Sequence, residues 1–245
     1  MMVIVPLFAA IVANVFEIDP AVKIALVTLS VSPVPPLWPK RAIRAGGDQS
    51  YAIGLLTATA LLSIVTVPLG LLLFESILSI PLRMHPIEIA YLAFVTVLLP
   101  LSVGMVLRRR LPPLAARIVR PIELIATLLL LVSLVPILIT IWPAFTQLVG
   151  DGTLLTMLAF VLVAIIGGHT LAGPSDEDRS TLVLASATRH PGIALAIAQA
   201  NFPNERFVAP AIALYLLVSV LGTIPYVHWT RRQMRGHHRS LMALR

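Results

Sequence analysis

Eight stretches of this chain are apolar enough to lie in a lipid bilayer, and nothing else in the sequence restricts the fold as strongly. A bilayer core of about 30 Å takes roughly 20 apolar residues per helix. Inside lipid the backbone must satisfy its own hydrogen bonds, which a helix does. The stretches are 1–16, 21–36, 51–74, 86–107, 121–142, 153–172, 180–200 and 206–228. Only 12% of the residues are charged, about half the share in soluble domains. The expected fold is therefore an all-α polytopic membrane protein with eight transmembrane segments. A single transmembrane domain fills residues 1–245.

Lysine and arginine orient these segments. If the face reached at the end of the second segment is the inside, it receives Lys40, Arg41, Arg44, Arg108, Arg109, Arg110, Arg117, Arg120, Arg179, Arg231, Arg232, Arg235, Arg239 and Arg245. The outside receives Arg83 and Arg206, while Lys23 and Arg189 lie within segments. So lopsided a distribution sets the topology under the positive-inside rule. It predicts a multi-pass protein of the cytoplasmic membrane whose C-terminus is cytoplasmic. Residues 229–245 form a basic tail beside the lipid headgroups. The net charge of +7 is read as topology, not as a nucleic-acid site. The chain has no cysteine, which excludes disulfides, thiolate metal sites and a cysteine nucleophile.

Two segments carry breaks. Ser30-Val-Ser-Pro-Val-Pro-Pro36 cannot continue as regular helix, because Pro33, Pro35 and Pro36 each remove a backbone donor. Arg189-His-Pro-Gly192 interrupts the other, with Pro191 and Gly192 making the break. The broken segments are the second and the seventh, so they cross the membrane in opposite directions. Paired interruptions in corresponding halves point to an inverted-repeat transporter. A five-plus-five repeat makes 86–228 one half and 1–74 the last three helices of the other. Two further helices are then expected ahead of Met1, where the chain opens already inside an apolar segment. The halves share no obvious residue-level identity.

Irregular backbone at membrane depth is tolerated where it is buried in protein or lines a wet cavity. A charge there costs at least about 2.5–3.5 kcal/mol. Arg189 lies about ten residues from either end of its segment, which makes snorkelling hard, so it is the expected counter-ion for an anionic substrate. His190 titrates near neutral pH and is a candidate proton carrier, or else a hydrogen-bonded structural residue. Thr188, Ser186, Ser30 and Ser32 either line a cavity or bond within and between helices. His169 beside Gly167 and Gly168 suggests close helix packing. Glu88, Glu123 and Lys23 read as interfacial, and Ser175 with Asp176, Glu177 and Asp178 as a helix start. No catalytic set, nucleotide loop or metal motif stands out, so no enzyme activity, cofactor or metal is expected.

Three motifs in order bring a family into view: Ala45-Gly-Gly-Asp48 after the first break, Leu99-Pro-Leu-Ser-Val-Gly-Met-Val-Leu-Arg-Arg-Arg110, and Ala187-Thr-Arg-His-Pro-Gly-Ile-Ala-Leu-Ala-Ile-Ala198. Together they resemble the bile acid:sodium symporter family and its bacterial relatives. The resemblance implies ten helices in two inverted repeats, with two discontinuous helices crossing in a core domain beside a panel domain. It makes the second and seventh segments those crossing helices, holding sodium and an organic anion. Sodium-coupled members resemble one another in a glutamate, a glutamine and an asparagine that align here with Ala185, Arg189 and His190. A Gly-Gly-Thr-Ala-Ser-Asn run aligns with Val34-Pro-Pro-Leu-Trp-Pro39. The expected function is secondary transport of a small organic anion by alternating access, with degenerate sodium sites and a proton as the possible coupling ion. The alternatives are a non-transporting remnant and an intramembrane enzyme. Arsenite export, which favours a thiolate, is disfavoured without cysteine.

Overall fold

The computed structural model of the chain describes residues 1–78, 87–88, 91, 94–148, 150 and 152–243. Among these residues there are helices and no strand. The order is α1 (Ile4–Val15), α2 (Pro20–Val31), α3 (Trp38–Arg44), α4 (Gln49–Leu78), a π-helical turn (Phe94–Leu98), α5 (Leu99–Arg110), α6 (Pro112–Leu148), α7 (Thr153–Leu171), α8 (Asp176–Ala187), α9 (Pro191–Asn201) and α10 (Val208–Ala243).

Four spans are clear by length and apolarity: Gln49–Ser76, Thr153–Leu171, the Asp176–Asn201 stretch that includes α8 and α9, and Val208–Met234. The other four expected segments stand differently. α1 and α2 are apolar but have 12 residues each, about 18 Å at 1.5 Å per residue, too short to cross alone. Arg83 and part of segment 86–107 lie outside the described residues. Segment 121–142 sits inside α6, which starts earlier than expected, at Pro112. Proline is favoured at a first helical position, where no donor is lost. At the other end, the tail expected from 229 is helical as far as Ala243, since arginine, glutamine, methionine and leucine favour helix.

Local chemistry explains the short elements. α3 ends in a Schellman arrangement: the Gly46 amide donates to Ile43 and the Gly47 amide to Ala42. Gly46 has φ +98°, which a side chain would strain. Asp48 accepts the Tyr51 amide at 2.6 Å, starting α4. Ser175 accepts the Asp178 amide at 3.5 Å, and three acidic residues occupy the first turn of α8.

Burial sorts the helices by depth. In α2 nine of twelve residues are buried: Ala21, Val22, Ala25, Leu26, Val27, Thr28, Leu29, Ser30 and Val31. In the α8–α9 stretch 61% of the apolar window is buried, against 28–44% for the other clear spans. The interrupted elements are therefore central, and the unbroken ones face outward. α5 and α6 expose Val106, Leu124 and Leu129 by more than 60% each, an apolar belt of a size that soluble monomers avoid. α7 reaches α8 closely at Gly168, where an added Cβ would lie 2.7 Å from the Val183 Cα.

One end of the bundle gathers the basic segments. Lys40 of α3 forms an ion pair with Glu123 of α6. Arg41 donates to the Thr223 hydroxyl of α10 at 2.6 Å. Arg231 donates to the Arg44 carbonyl. Gly47 packs against the Thr181 side chain of α8. Lys40, Arg41, Arg44, Arg179 and Arg231 thus belong to contacts or helix ends on one face.

Candidate substrate site at a helix crossing

The two breaks meet. α2 ends at Val31, Ser32 is extended (φ −67°, ψ 140°), and the chain stays non-helical until α3. Pro33, Pro35 and Pro36 fill that gap. α8 ends at Ala187, Thr188 is extended (φ −99°, ψ 122°), and α9 begins at Pro191 with Gly192 next. The His190 amide donates to the Pro33 carbonyl at 2.9 Å, so backbone joins backbone across the two gaps. On one side of this junction α9 packs on α2; on the other α3 packs on α8. That pairing is an antiparallel crossing of two interrupted helices. It brings two helix C-termini, α2 and α8, together with two N-termini, α3 and α9.

Such a junction holds opposed partial charges, negative at the C-termini and positive at the N-termini. Arg189 lies within it and has no exposed surface. Its Nη1 donates to the Ser32 carbonyl at 3.4 Å and its Nη2 to the Met1 carbonyl at 3.4 Å, both long bonds. Its Nε is buried with no partner among the described residues. No ion pair engages Arg189 among the described residues. A guanidinium thus stands where carbonyls of a helix end collect, with donor capacity left over.

His190 has a local task. Its Nδ1 accepts the Ile193 amide at 3.3 Å, capping α9. In the neutral ring this leaves the proton on Nε2. Of the hydroxyls, Ser30 donates to Val27 at 2.7 Å, Ser32 to Thr28 at 2.7 Å and Ser186 to Leu182 at 2.8 Å. These donors serve their own helices, the ordinary use of a hydroxyl in such a place. Ser30 also borders a cavity of about 260 Å³ between α1, α2 and α4, with Met2, Thr66 and Gly70, which Arg189 does not line. Thr188 differs, because its Oγ1 is buried without a partner among the described residues. Thr188 and Arg189 are thus the two neighbouring residues with free polar atoms at the break.

Two residues that sequence reasoning passed over hold the junction together. Tyr215 and Ser219 of α10 both donate to the Ala187 carbonyl, at 2.9 and 3.0 Å. Both side chains are buried, and the α8 end they satisfy would otherwise lack an acceptor's partner. Their spacing of four places them on one helix face, a signal present in the sequence. His169 is engaged elsewhere: its Nδ1 lies 2.8 Å from the Tyr226 hydroxyl, in a ring cluster with Trp229.

Residues 1–147 match the family model described as Sodium Bile acid symporter family. The matched part runs from α1 nearly to the end of α6 and includes the first break; the second break follows it. No curated protein matches the chain significantly. The match takes in well over half of the 245 residues, on a helical chain with four clear candidate spans. This multi-pass membrane protein belongs to the Sodium Bile acid symporter family, whose members are transporters.

Proposed function

We propose that the chain is a secondary transporter of a small organic anion, working by alternating access, with the anion held at the junction of the 32–37 and 188–190 gaps. The observation that carries this is Arg189: a fully buried guanidinium with a free Nε and no carboxylate partner among the described residues. A buried charge is expected to be paired, and a bound carboxylate completes the pair through the guanidinium fork. Thr188 Oγ1 is the second contact, and the N-terminal end of the α9 dipole adds positive partial charge, although Pro191 has no amide proton and the Ile193 amide is taken by His190.

The same geometry argues against the usual sodium ligands. Arg189 already donates to the Ser32 carbonyl at the end of α2, the kind of oxygen a cation would take. Ala185, where the family resemblance places a carboxylate, is a fully buried apolar residue. In this reading a fixed positive charge replaces a mobile one, and coupling to sodium is lost. His190 contributes by capping α9, and proton coupling needs that cap to be released.

The repeat reading rests on element order. α1, the α2–α3 broken pair and α4 come in the same sequence as α7, the α8–α9 broken pair and α10. α4 and α10 are both long and carry internal prolines, Pro68 and Pro225. This supports 1–74 and 86–228 as parts of two inverted halves; the reading of eight spans with the basic face cytoplasmic rests on the positive-inside rule.

Uptake of a radiolabelled bile acid and of short-chain carboxylates into proteoliposomes, with and without a sodium gradient, tests the proposal. Saturable uptake indifferent to sodium is expected. Strict sodium dependence would refute the site reading, and no uptake of any carboxylate would refute the carrier reading.

A further inference from the structure

At the basic end of the bundle, α3, α6 and α10 enclose a second cavity, of about 640 Å³. Lys40, Arg41 and Arg44 reach it from α3 and Arg231 from α10; Glu123 is the carboxylate on the α6 side. Four cations against one anion leave an excess of three positive charges. Apart from Thr127 the remaining wall is apolar, and Leu37, Val119 and Ile122 within it are each more than half exposed. These residues border the outward-facing belt of α6, so one side of the cavity opens toward hydrocarbon and the other carries the guanidinium groups.

We propose that this cavity binds an anionic phospholipid, with the headgroup phosphate on Arg44 and Arg231 and an acyl chain along Val119 and Ile122. A small soluble anion uses only the cationic rim. A zwitterionic lipid uses the apolar wall but brings its own positive charge to a site already in excess. An anionic lipid matches both surfaces, and basic pockets between membrane helices take such headgroups. The site is organised before the lipid arrives. The Lys40–Glu123 ion pair fixes α3 to α6. The Arg41–Thr223 bond fixes α3 to α10, and Arg231 is held by the Arg44 carbonyl. The lipid therefore also fastens the α5–α6 pair to the elements that carry the crossing. This inference needs only the bilayer and is independent of what Arg189 carries.

Native mass spectrometry and thermal unfolding of the purified full chain test it, with phosphatidylglycerol, phosphatidylcholine, inorganic phosphate and glycerol 3-phosphate as separate probes. Retention of phosphatidylglycerol and a raised unfolding midpoint are expected, with no comparable effect from the other three. The double variant R44Q/R231Q should weaken phosphatidylglycerol binding about tenfold or more. R108Q/R109Q, which removes two charges from α5, should leave it unchanged. Equal binding of phosphatidylcholine, equal stabilisation by either soluble phosphate, or equal loss in both double variants would each overturn the proposal. The four-probe comparison uses the unaltered protein, so it decides even if a variant fails to fold.

Discussion

Arg189 is the residue on which structure and function pull in different directions. Two bonds of 3.4 Å offset little of the cost of burying a guanidinium, and replacing a poorly satisfied buried ion by an apolar side chain is often neutral or stabilising. R189M is therefore expected to keep or raise the ligand-free unfolding temperature while reducing anion uptake by about 100-fold, the upper range for losing a charge-assisted bond. R189K should retain partial uptake, since a point charge survives without the fork. An Arg189 needed only for folding would give the reverse, a lowered midpoint with transport following stability. For His190 the capping bond to Ile193 makes a different prediction. H190N offers an acceptor at nearly the same position and should fold like the parent. H190A should cost about 1 kcal/mol, as for lost helix caps generally, read from thermal unfolding in detergent.

At the scale of elements, the interrupted helices depend on neighbours that approach closely. Gly168 lets α7 lie against the α8 backbone, where an added Cβ would meet the Val183 Cα at 2.7 Å and its amide nitrogen at 3.0 Å. Backbone cannot step aside as a flexible side chain can. G168A is expected to destabilise by about 1–3 kcal/mol, the usual range for overpacking, whereas G104A should be near neutral because nothing lies within 4 Å of its Cβ position. Equal unfolding midpoints for the two variants would show that α7 and α8 pack less closely than described. On the other side of α8, Tyr215 and Ser219 place two donors on one carbonyl, that of Ala187. The helix end is thus satisfied from α10, and the break is set by three helices rather than by Pro191 alone.

For the whole molecule, the distribution of arginines and the tertiary contacts describe one face from independent directions. Charge counting placed residues near 40, 120, 179 and 231 together, and the Lys40–Glu123, Arg41–Thr223 and Arg231–Arg44 contacts join most of them. Because these 245 residues contain no cysteine, single cysteines introduced into them report topology without background. Cysteines at Ala115, Ser175 and Gln233 should react with an impermeant maleimide only from the cytoplasmic side of membrane vesicles, and those at Glu17 and Asn204 only from the opposite side. A mixed pattern would break the eight-span count.

Apolar length and the scarcity of charge determined, from sequence alone, that the chain is helical and lies in a membrane, because the bilayer allows so few backbone solutions. Proline chemistry likewise marked both interruptions, since a missing donor is a local property; the second gap falls at 188–190, and Pro191 and Gly192 open α9 rather than lying in the gap. The outcomes at individual side chains divide between local and long-range partners. Ser30, Ser32 and Ser186 turn to their own helices and Thr188 does not, although all four look alike as isolated hydroxyls. That the His190 amide reaches Pro33 across 157 positions of sequence, and that Tyr215 and Ser219 close the α8 end, were decided by the tertiary structure. The physical reason is that hydrogen-bond partners and burial depend on which helices come to lie beside one another, and hydropathy records only that a helix prefers lipid or protein to water.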